Sequence, residues 1–499
     1  MNSRISRQVA LGALLVFGSA PAFGQARRVA SNPPLTLQEE LNAWYRTAVK
    51  KAPGEWGVAV ADEKGQLVWG IDPTAMMIPA STVKLFTTGF ARSVLGSDAH
   101  KTTRVVGTGH LDPATGSWLG TWALELNGDP SFERAGRNGA RLADLATQLA
   151  ARGIRHLAGP LSLISATGDA GASFPSAWSS RHRGRLFAPL IGNLTLHENL
   201  VSFAVAAGPR AGSHAVLAGA SPLGFDQLVR VEAKTVKGRK ARLKFAQDAD
   251  GRVVVTGTIG TSARARGFSA PTTNPRAVLE AAWKANLAAA GIDWTSAPGM
   301  SAPTGTLRAT TIAEVISPTF DSIASEINRR SLNIGAELLL HWAAGYDNPV
   351  DRLNAHVQQI TGDRSGVRLV DGSGLSSENR VSPYAFVTYL ARFPLAPGGK
   401  NFPQLLPANG TGTLWRLASG LPIRGVVRAK TGTLGNVASL VGYLGRSDGV
   451  LLVSLMYNGN RVWAARQQQW SLFRTLGASG VVIPMDSLET DHLGGPEKP

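Results

Sequence analysis

The sequence contains no cysteine. This absence excludes disulfide bonds, thiolate catalysis, cysteine-ligated metal sites and a lipid anchor on cysteine. Beyond the N-terminal segment, no stretch reaches the ~18 uninterrupted apolar residues that a transmembrane helix needs, so we expect no transmembrane anchor in the mature protein. Zinc-finger spacing, aromatic RNA-binding motifs and heptad repeats are also absent, which argues against nucleic acid as a partner.

Positive charge is in excess, with 51 Lys and Arg against 34 Asp and Glu and a formal net charge of +17. Met1–Gly24 combines Arg4 and Arg7 with the apolar run VALGALLVFGSA and the small-residue pattern AFG, which is typical of a secretory signal peptide. We expect cleavage near Gly24 and a periplasmic protein. A basic protein of this kind is attracted to polyanions, which for an exported bacterial protein means the cell wall or outer envelope.

The length of 499 residues predicts two or more domains. LTLQEELNAWYRTAVKK is predicted as a first helix, and WGVAVAD and QLVWGID as a β-hairpin. From about 103 to 312, short β-type runs alternate with clusters of Gly, Pro, Asn and Ser, which indicates a β-rich insertion. IAEVISPTF and DSIASEINRRSLNIGAELLLHWAAG then return to helical periodicity. Three strands, GVVRAKTGTL, ASLVGYLG and GVLLVSLMYNG, and a helix in QQQWSLFRTLGAS complete the chain.

The two ends of the chain are therefore predicted to form one α/β (α+β) domain that the insertion interrupts. We place a signal peptide at 1–24, the first part of this domain at 25–105, the inserted β-rich domain or domains at 106–312, the second part at 313–480, and a polar tail at 481–499.

The stretch PASTVKLFTT at 79–88 places Ser81 and Lys84 three residues apart at the start of a predicted helix. One helical turn brings such residues onto the same face, so the Lys84 amine can reach the Ser81 hydroxyl and act as its base. A base at neutral pH requires the pKa of Lys84 to fall by about 3 units, through desolvation and positive neighbours. Taken alone, the spacing also fits a surface helix with a serine N-cap.

Two more polar elements follow, at a predicted helix junction and on the predicted strand VVRAKTGTL. Their functional candidates are Ser331, Asn333, Lys430, Thr431, Gly432 and Thr433. Each element alone could be a polar linker or a strand-edge turn. Together with Ser81 and Lys84 they supply what acyl transfer needs: a nucleophile, a base, a second hydroxyl, an amide and a cation for a carboxylate. Gly432 would let a substrate strand approach closely, and the backbone N–H groups of Ser81 and Thr433 could form an oxyanion hole.

The order Ser-x-x-Lys, Ser-x-Asn and Lys-Thr-Gly resembles the signature of penicillin-binding proteins and serine β-lactamases. The stretches LNGDPSF, NLTLHENLVSF, SLNIGAELLL and DGSGLSSEN, over about 40–475, are similar to class C low-molecular-mass penicillin-binding proteins. These are the D-alanyl-D-alanine carboxypeptidase/DD-endopeptidases of the penicillin-binding protein 4 type. The long separation of Ser81 from Ser331 suits that group, which carries domains inserted between these motifs.

The resemblance implies a transpeptidase-like domain, peptidoglycan peptides as substrates, β-lactams as covalent inhibitors, and no cofactor or metal. It also implies roles at the site: Ser81 as acylated nucleophile, Lys84 as base, Ser331 and Asn333 in the second element, and Lys430, Thr431 and Thr433 binding the terminal carboxylate and carbonyl.

Two other functions stay open at this point. A β-lactamase needs a group that activates water for fast deacylation, and the chain between Ser331 and Lys430 has no Glu-x-x-Leu-Asn. A wall-binding protein that keeps the fold without turnover would form no covalent adduct with penicillin.

Other polar residues are given structural roles. The Asp-Gly-Ser-Gly stretch at 371–374 is predicted as a tight turn near the cleft, so Ser373 is not taken as a second nucleophile. His197 and Glu198 have no spaced partners for a metal.

The chain also departs from its relatives at a specificity position. Relatives that trim diaminopimelate-type stems carry an Arg directly after the DGSGLS turn and an Asp on a strand of the inserted domain. Here these positions fall on Ser377 and about Ser165, with Asp169 near the latter. We therefore expect weak recognition of the free end of the diamino acid.

Overall fold

The computed structural model describes residues 36–134, 139–297 and 309–483. The predicted signal peptide and positions 484–499 of the predicted polar tail lie outside these ranges. Within them, none of the helices has the length and apolar character needed to cross a membrane. The α-helices are α1 Leu37–Lys51, α2 Lys84–Leu95, α3 Leu142–Ala151, α4 Pro275–Ala289, α5 Phe320–Arg330, α6 Asn333–Ala344, α7 Pro349–Thr361, α8 Pro383–Arg392 and α9 Val462–Leu476.

The strands fall into two groups along the chain. Those of the chain's two ends are β1 Glu55–Ala61, β2 Leu67–Ile71, β16 Val367–Arg368, β17 Arg380–Val381, β18 Val427–Leu434, β19 Val437–Arg446 and β20 Gly449–Asn458. Those between are β3 Thr102–Asp112, β4 Ser117–Glu125, β5 His156–Ala158, β6 Leu163–Ile164, β7 Leu200–Ala206, β8 Val216–Ser221, β9 Val229–Val231, β10 Lys234–Val236, β11 Ala241–Gln247, β12 Val253–Gly260, β13 Arg266–Pro271, β14 Asp293–Thr295 and β15 Thr310–Ile316.

The central sheet combines both ends of the chain in the order β18-β19-β20-β1-β2, with antiparallel neighbours throughout. The predicted first helix, the hairpin of β1 and β2, the three sequential strands and the closing helix are all confirmed. In β19 the apolar residues alternate between the two faces, because successive side chains of a strand point to opposite sides. Leu440 packs in a core with α1 and α9, whereas Val441 packs in a core with α2 and α8. The sheet is therefore covered on both sides, and the predicted α/β (α+β) class is confirmed.

Two central helices, α2 and α6, are buried along most of their length. Every residue from Lys84 to Arg92 is buried, as is every residue from Asn333 to Leu340. A helix buried all round has no solvent-facing side, so polar groups on α2 and α6 must be satisfied inside the protein.

Over its described residues, the intervening region contains three larger sheets and two α-helices. A six-stranded sheet has the order β14-β5-β4-β3-β15 with β6 beside β4. A four-stranded sheet consists of β9, β10, β11 and β12, and a three-stranded sheet consists of β13, β7 and β8. α3 and α4 pack against these sheets around Trp283 and add helical layers that the β-rich prediction did not include. β3 and β15 pair with each other across the predicted insert boundaries at 105/106 and 312/313, and the domain limits stay predictions.

The helical prediction for IAEVISPTF is wrong. Residues up to Ile316 form β15, which pairs with β3 in antiparallel register. Ile312 and Ala313 enter the core of the intervening region, whereas Ile316 is exposed. Pairing with an existing strand edge decides the conformation of this β-branched segment, which its own apolar spacing does not show.

Candidate active site

Ser81 lies in a short 3-10 turn, Ala80–Val83, that leads directly into α2. The helix proper begins at Lys84, and the Ser81 side chain caps neither segment, which removes the N-cap explanation. Ala80 has a φ of 51°, a conformation that side-chain-bearing residues rarely adopt. Such strain persists only where the surrounding structure holds it, and it is found mainly at functional sites.

Lys84 is completely buried and hydrogen-bonds to three parts of the chain. Its Nζ donates to Ser81 Oγ at 3.1 Å, to Asn333 Oδ1 at 2.6 Å and to the Ser373 carbonyl at 2.6 Å. Burial lowers the pKa of Lys84 to about 7. The predicted Ser81–Lys84 contact and the required pKa decrease are thus both present, although burial rather than a second cation is the main cause.

Two buried carboxylates oppose this decrease. Asp371 and Glu337 both raise the pKa of Lys84, and burial followed by Asp371 raises the pKa of Glu337 to about 7. Glu337 accepts hydrogen bonds from the backbone N–H groups of Gly372 at 3.2 Å and Ser373 at 2.8 Å. Glu337 therefore holds the loop whose Ser373 carbonyl binds the lysine.

Asn333 and Ser331 sit at the junction of α5 and α6, as predicted. Ser331 ends α5 with a φ of 60°, and Asn333 begins α6. The Asn333 amide nitrogen donates to the Phe187 carbonyl at 2.8 Å, while its oxygen accepts from Lys84. Both ends of this amide are engaged within the protein, so the expected contact between Asn333 and the substrate backbone stays a prediction.

The Lys-Thr-Gly-Thr element lies on β18, at the edge of the central sheet. Lys430 is completely buried and donates to Ser331 Oγ and to the Thr431 carbonyl, both at 2.8 Å. Burial, and then the positive charges of Lys84 and Arg466, hold the pKa of Lys430 well below its ordinary range. Thr431 is buried, whereas Thr433 is exposed.

Gly432 is where β18 meets the turn that carries Ser81. A Cβ at this position would lie 2.6 Å from the Pro79 carbonyl oxygen and 3.0 Å from the Ser81 nitrogen. Only glycine lets the strand approach the turn this closely. The approach brings the backbone around Thr433 next to Ser81, the two residues predicted to supply the oxyanion hole.

A family model matches this combination of motifs. The model of the D-Ala-D-Ala carboxypeptidase 3 (S13) family matches residues 46–475. This chain belongs to the S13 family. The predicted resemblance to class C penicillin-binding proteins is confirmed, and membership makes the chain a serine-type D-Ala-D-Ala carboxypeptidase.

Individual relatives agree with this membership. The chain is 26% identical over 481 residues to a D-alanyl-D-alanine carboxypeptidase of Actinomadura sp. (strain R39), covering 90% of this chain and 85% of the relative. A carboxypeptidase, DacB, of Mycolicibacterium smegmatis is 32% identical over 192 residues, covering 36% of this chain and 41% of the relative.

The fold is similar to that of penicillin binding protein 4 (dacB) from Haemophilus influenzae. That crystal structure has a TM-score of 0.69 and 20% identity, covering 86% of this chain and 99% of the other. The same protein has been solved in complex with a β-lactam, with a TM-score of 0.64 and coverage of 86% and 99%.

The residues singled out beside the S13 motifs have structural contacts. Asp371 accepts from the backbone N–H groups of Gly374 and Ser376, each at 2.7 Å, so the predicted tight turn is confirmed. Glu198 pairs with Arg330, the residue before Ser331. The His197 ring nitrogen Nδ1 lies 2.8 Å from the Leu200 carbonyl oxygen.

Sequence reasoning missed three residues of the S13 site: Glu337, Phe187 and Arg466. Glu337 lies four residues after Asn333, and a single acid inside the apolar run of α6 is a signal that could have identified it. Phe187 contributes only its carbonyl, and Arg466 is one of many arginines, so the sequence offers no signal for either.

Proposed function

We propose that Ser81 is the nucleophile of an exported DD-peptidase that removes the terminal D-Ala from peptidoglycan stem peptides and also cuts D-Ala cross-links. The enzyme acts in the periplasm after its signal peptide is cleaved. The observation that carries this proposal is the buried Lys84 amine, 3.1 Å from Ser81 Oγ and with a pKa lowered to about 7.

In the acylation step, Ser81 Oγ attacks the carbonyl carbon of the penultimate D-Ala while its proton passes to neutral Lys84. The negative charge on the carbonyl oxygen is stabilised by the N–H groups of Ser81 and Thr433. The C–N bond then breaks, and the leaving amine takes a proton through the Ser331 hydroxyl, which Lys430 orients at 2.8 Å. The products are an ester on Ser81 and a released amine, which is D-Ala from a stem peptide or the acceptor stem from a cross-link.

Hydrolysis of the ester completes the cycle. Water attacks the ester carbonyl, its proton passes to Lys84, and Ser81 regains a proton as it leaves. Lys430, Thr431 and Thr433 bind the terminal carboxylate and the carbonyl of the substrate before acylation. A β-lactam takes the same first step, but its opened ring stays attached and the penicilloyl ester persists.

Mass spectrometry of purified muropeptides incubated with the enzyme tests this function. We expect pentapeptide stems to lose one alanine and cross-linked dimers to become monomers, both abolished by Ser81→Ala. Ser93→Ala is the matched control, because Ser93 lies further along in α2 and its hydroxyl donates to the Phe90 carbonyl. Unchanged muropeptides with wild-type enzyme would refute the proposal.

The same reaction mixtures separate the alternatives. A β-lactamase would release hydrolysed penicillin continuously, whereas a DD-peptidase retains the adduct. A wall-binding protein without turnover would leave both muropeptides and penicillin unchanged.

A further inference from the structure

Arg466 lies on α9, behind the strand that carries the Lys-Thr-Gly-Thr element. Its side chain is buried, and one terminal nitrogen donates to the Gly432 carbonyl at 2.6 Å and to Thr433 Oγ1 at 3.1 Å. The other terminal nitrogen donates to the Ser439 carbonyl at 2.7 Å and to Gln469 Oε1 at 2.8 Å. One guanidinium therefore ties β18 to β19 at the level of the site.

These partners of Arg466 are all uncharged. Within the ranges that the structure describes, no Asp or Glu oxygen forms an ion pair with Arg466, and none forms one with Lys430. Buried charges are normally paired, because removing a charge from water costs several kcal/mol. Burial accordingly lowers the pKa of Arg466 to about 9. Lys430 and Arg466 are therefore two buried cations beside β18 that have no carboxylate partner among the described residues. This edge of the sheet is suited to binding an incoming anion.

Thr433 links Arg466 to the solvent side. A hydroxyl has one proton to donate and two lone pairs to accept with. Because Thr433 Oγ1 accepts from Arg466, its own proton is left for another acceptor, and the residue is exposed. A hydroxyl polarised by a cation is a stronger donor to a carboxylate than an isolated one.

We propose that Arg466 is a positioning residue that makes the enzyme selective for substrates ending in a free carboxylate, acting through Thr433 Oγ1 and the Gly432 carbonyl. This inference rests on the proposed function, because the carboxylate is that of the terminal D-Ala or of a penicillin. Arg466 itself does not touch the substrate: it aims the Thr433 hydroxyl and adds positive charge behind it.

The test compares acylation rates with benzylpenicillin and with its uncharged methyl ester. We expect Arg466→Gln to reduce the preference for the acid over the ester by about tenfold or more, the effect of losing one hydrogen bond to a charged group. Acylation by the ester should change far less. Arg466→Lys keeps the charge but not the forked geometry, so its preference for the acid should lie between those of the wild type and of Arg466→Gln. Arg474→Gln is the control, since Arg474 lies on the same helix and donates to the Ser419 and Arg416 carbonyls, away from the site.

A parallel loss of both rates in Arg466→Gln would mean that the residue serves only structure and would overturn the proposal. In a Thr433→Val background, Arg466→Gln should reduce the preference by less than it does in the wild type, because only the Gly432 contact and the charge remain to be lost. Two independent, fully additive effects would also overturn the proposal. If thermal unfolding shows that Arg466→Gln does not fold, Thr433→Val must still lose the preference and Thr433→Ser must keep it. A wild-type protein that neither compound acylates would instead refute the proposed function.

Discussion

At Lys84, burial and charge act on the same proton in opposite directions. Burial lowers the pKa of the amine to about 7, while Asp371 and Glu337 favour its charged form. The neutral form needed to accept the Ser81 proton is therefore well populated near pH 7. The acids prevent a larger decrease and keep the amine basic enough to take the proton.

The two buried lysines of the site should respond differently to arginine. Lys84→Arg keeps a cation that cannot deprotonate near neutral pH, so penicillin acylation should fall at least about 100-fold, the contribution of a general base. Lys430→Arg keeps the charge offered to the carboxylate and should cost less. Both lysines are 0% exposed, so the larger arginine side chain must fit into a fully buried position in each variant. Stopped-flow measurement of the penicillin acylation rates of both variants tests this prediction. Equal decreases in rate would refute the different roles of the two lysines.

Glu337 should set the pH dependence of acylation. Because neutral Lys84 is the proposed base, the rate should rise as pH increases through about 7. Glu337→Gln removes a carboxylate that raises the pKa of Lys84, so the rising limb should move to lower pH. The other charged groups around the amine, Asp371 and Lys430, are unchanged.

The control for this shift is Glu378→Gln, an exposed acid beyond the same loop. Its pH–rate profile should match the wild type. A limb that stays in place in Glu337→Gln, or moves to higher pH, would contradict the assigned effect of Glu337.

How far the sequence predicts the site depends on the kind of contact. The Ser81–Lys84 pair follows from spacing within one turn, and the two later elements follow from their order. Glu337 and Arg466 act through backbone groups of segments distant in sequence, and only the folded chain brings these together. No local pattern encodes that placement.

Among the elements, β18 packs tightly against the turn that carries Ser81. Its Gly432 would place any Cβ against the Pro79 carbonyl, the Ser81 nitrogen and the Ser439 hydroxyl. These are backbone and anchored groups that cannot easily move, since Ser439 Oγ is itself bonded to the Pro79 carbonyl at 2.5 Å.

Gly432→Ala should therefore push β18 away from the turn and slow acylation by at least about tenfold, a loss typical of misplacing a reacting group. Gly435→Ala is the matched control three residues along the hairpin, where a Cβ would meet nothing within 4 Å. Penicillin acylation and thermal unfolding should be measured for both. Equal acylation rates in the two variants would show that the close approach is not needed.

Helices and strands were predicted correctly where the apolar pattern of their own sequence matches the burial that they have in the folded chain. β18, β19 and β20 combine long apolar runs with short turns and are buried in the sheet, so their pattern is sufficient. β15 was assigned wrongly because its partner β3 lies about 200 residues away, a pairing that local periodicity does not contain. The start of α2 was placed at Ser81 because a 3-10 turn and a first helical turn have similar spacing.

On the scale of the whole molecule, the intervening region contributes directly to the site of the chain's two ends. Phe187 accepts a hydrogen bond from Asn333, and Glu198 pairs with Arg330 next to Ser331. The region therefore supports the segment that carries Ser331 and Asn333.

Specificity for the diamino acid of the stem peptide is expected to be weak. Ser377 is exposed, Ser165 donates to Asn127 at 3.2 Å, and neither supplies the charges that relatives use. We expect less than about tenfold difference in kcat/KM between stem peptides with and without the free ammonium–carboxylate end. Ser377→Arg should widen that gap. A wild-type preference above about a hundredfold would show that Asp169 or another charged residue recognises this end.

Covalent labelling of Ser81 tests the central claim most directly. Wild-type protein is incubated with benzylpenicillin, digested and mapped by mass spectrometry, beside Ser81→Ala treated in the same way. The account predicts one penicilloyl group on the peptide containing Ser81 and none on the variant. A penicilloyl group on Ser331 or Ser373, or an adduct that survives in Ser81→Ala, would contradict it.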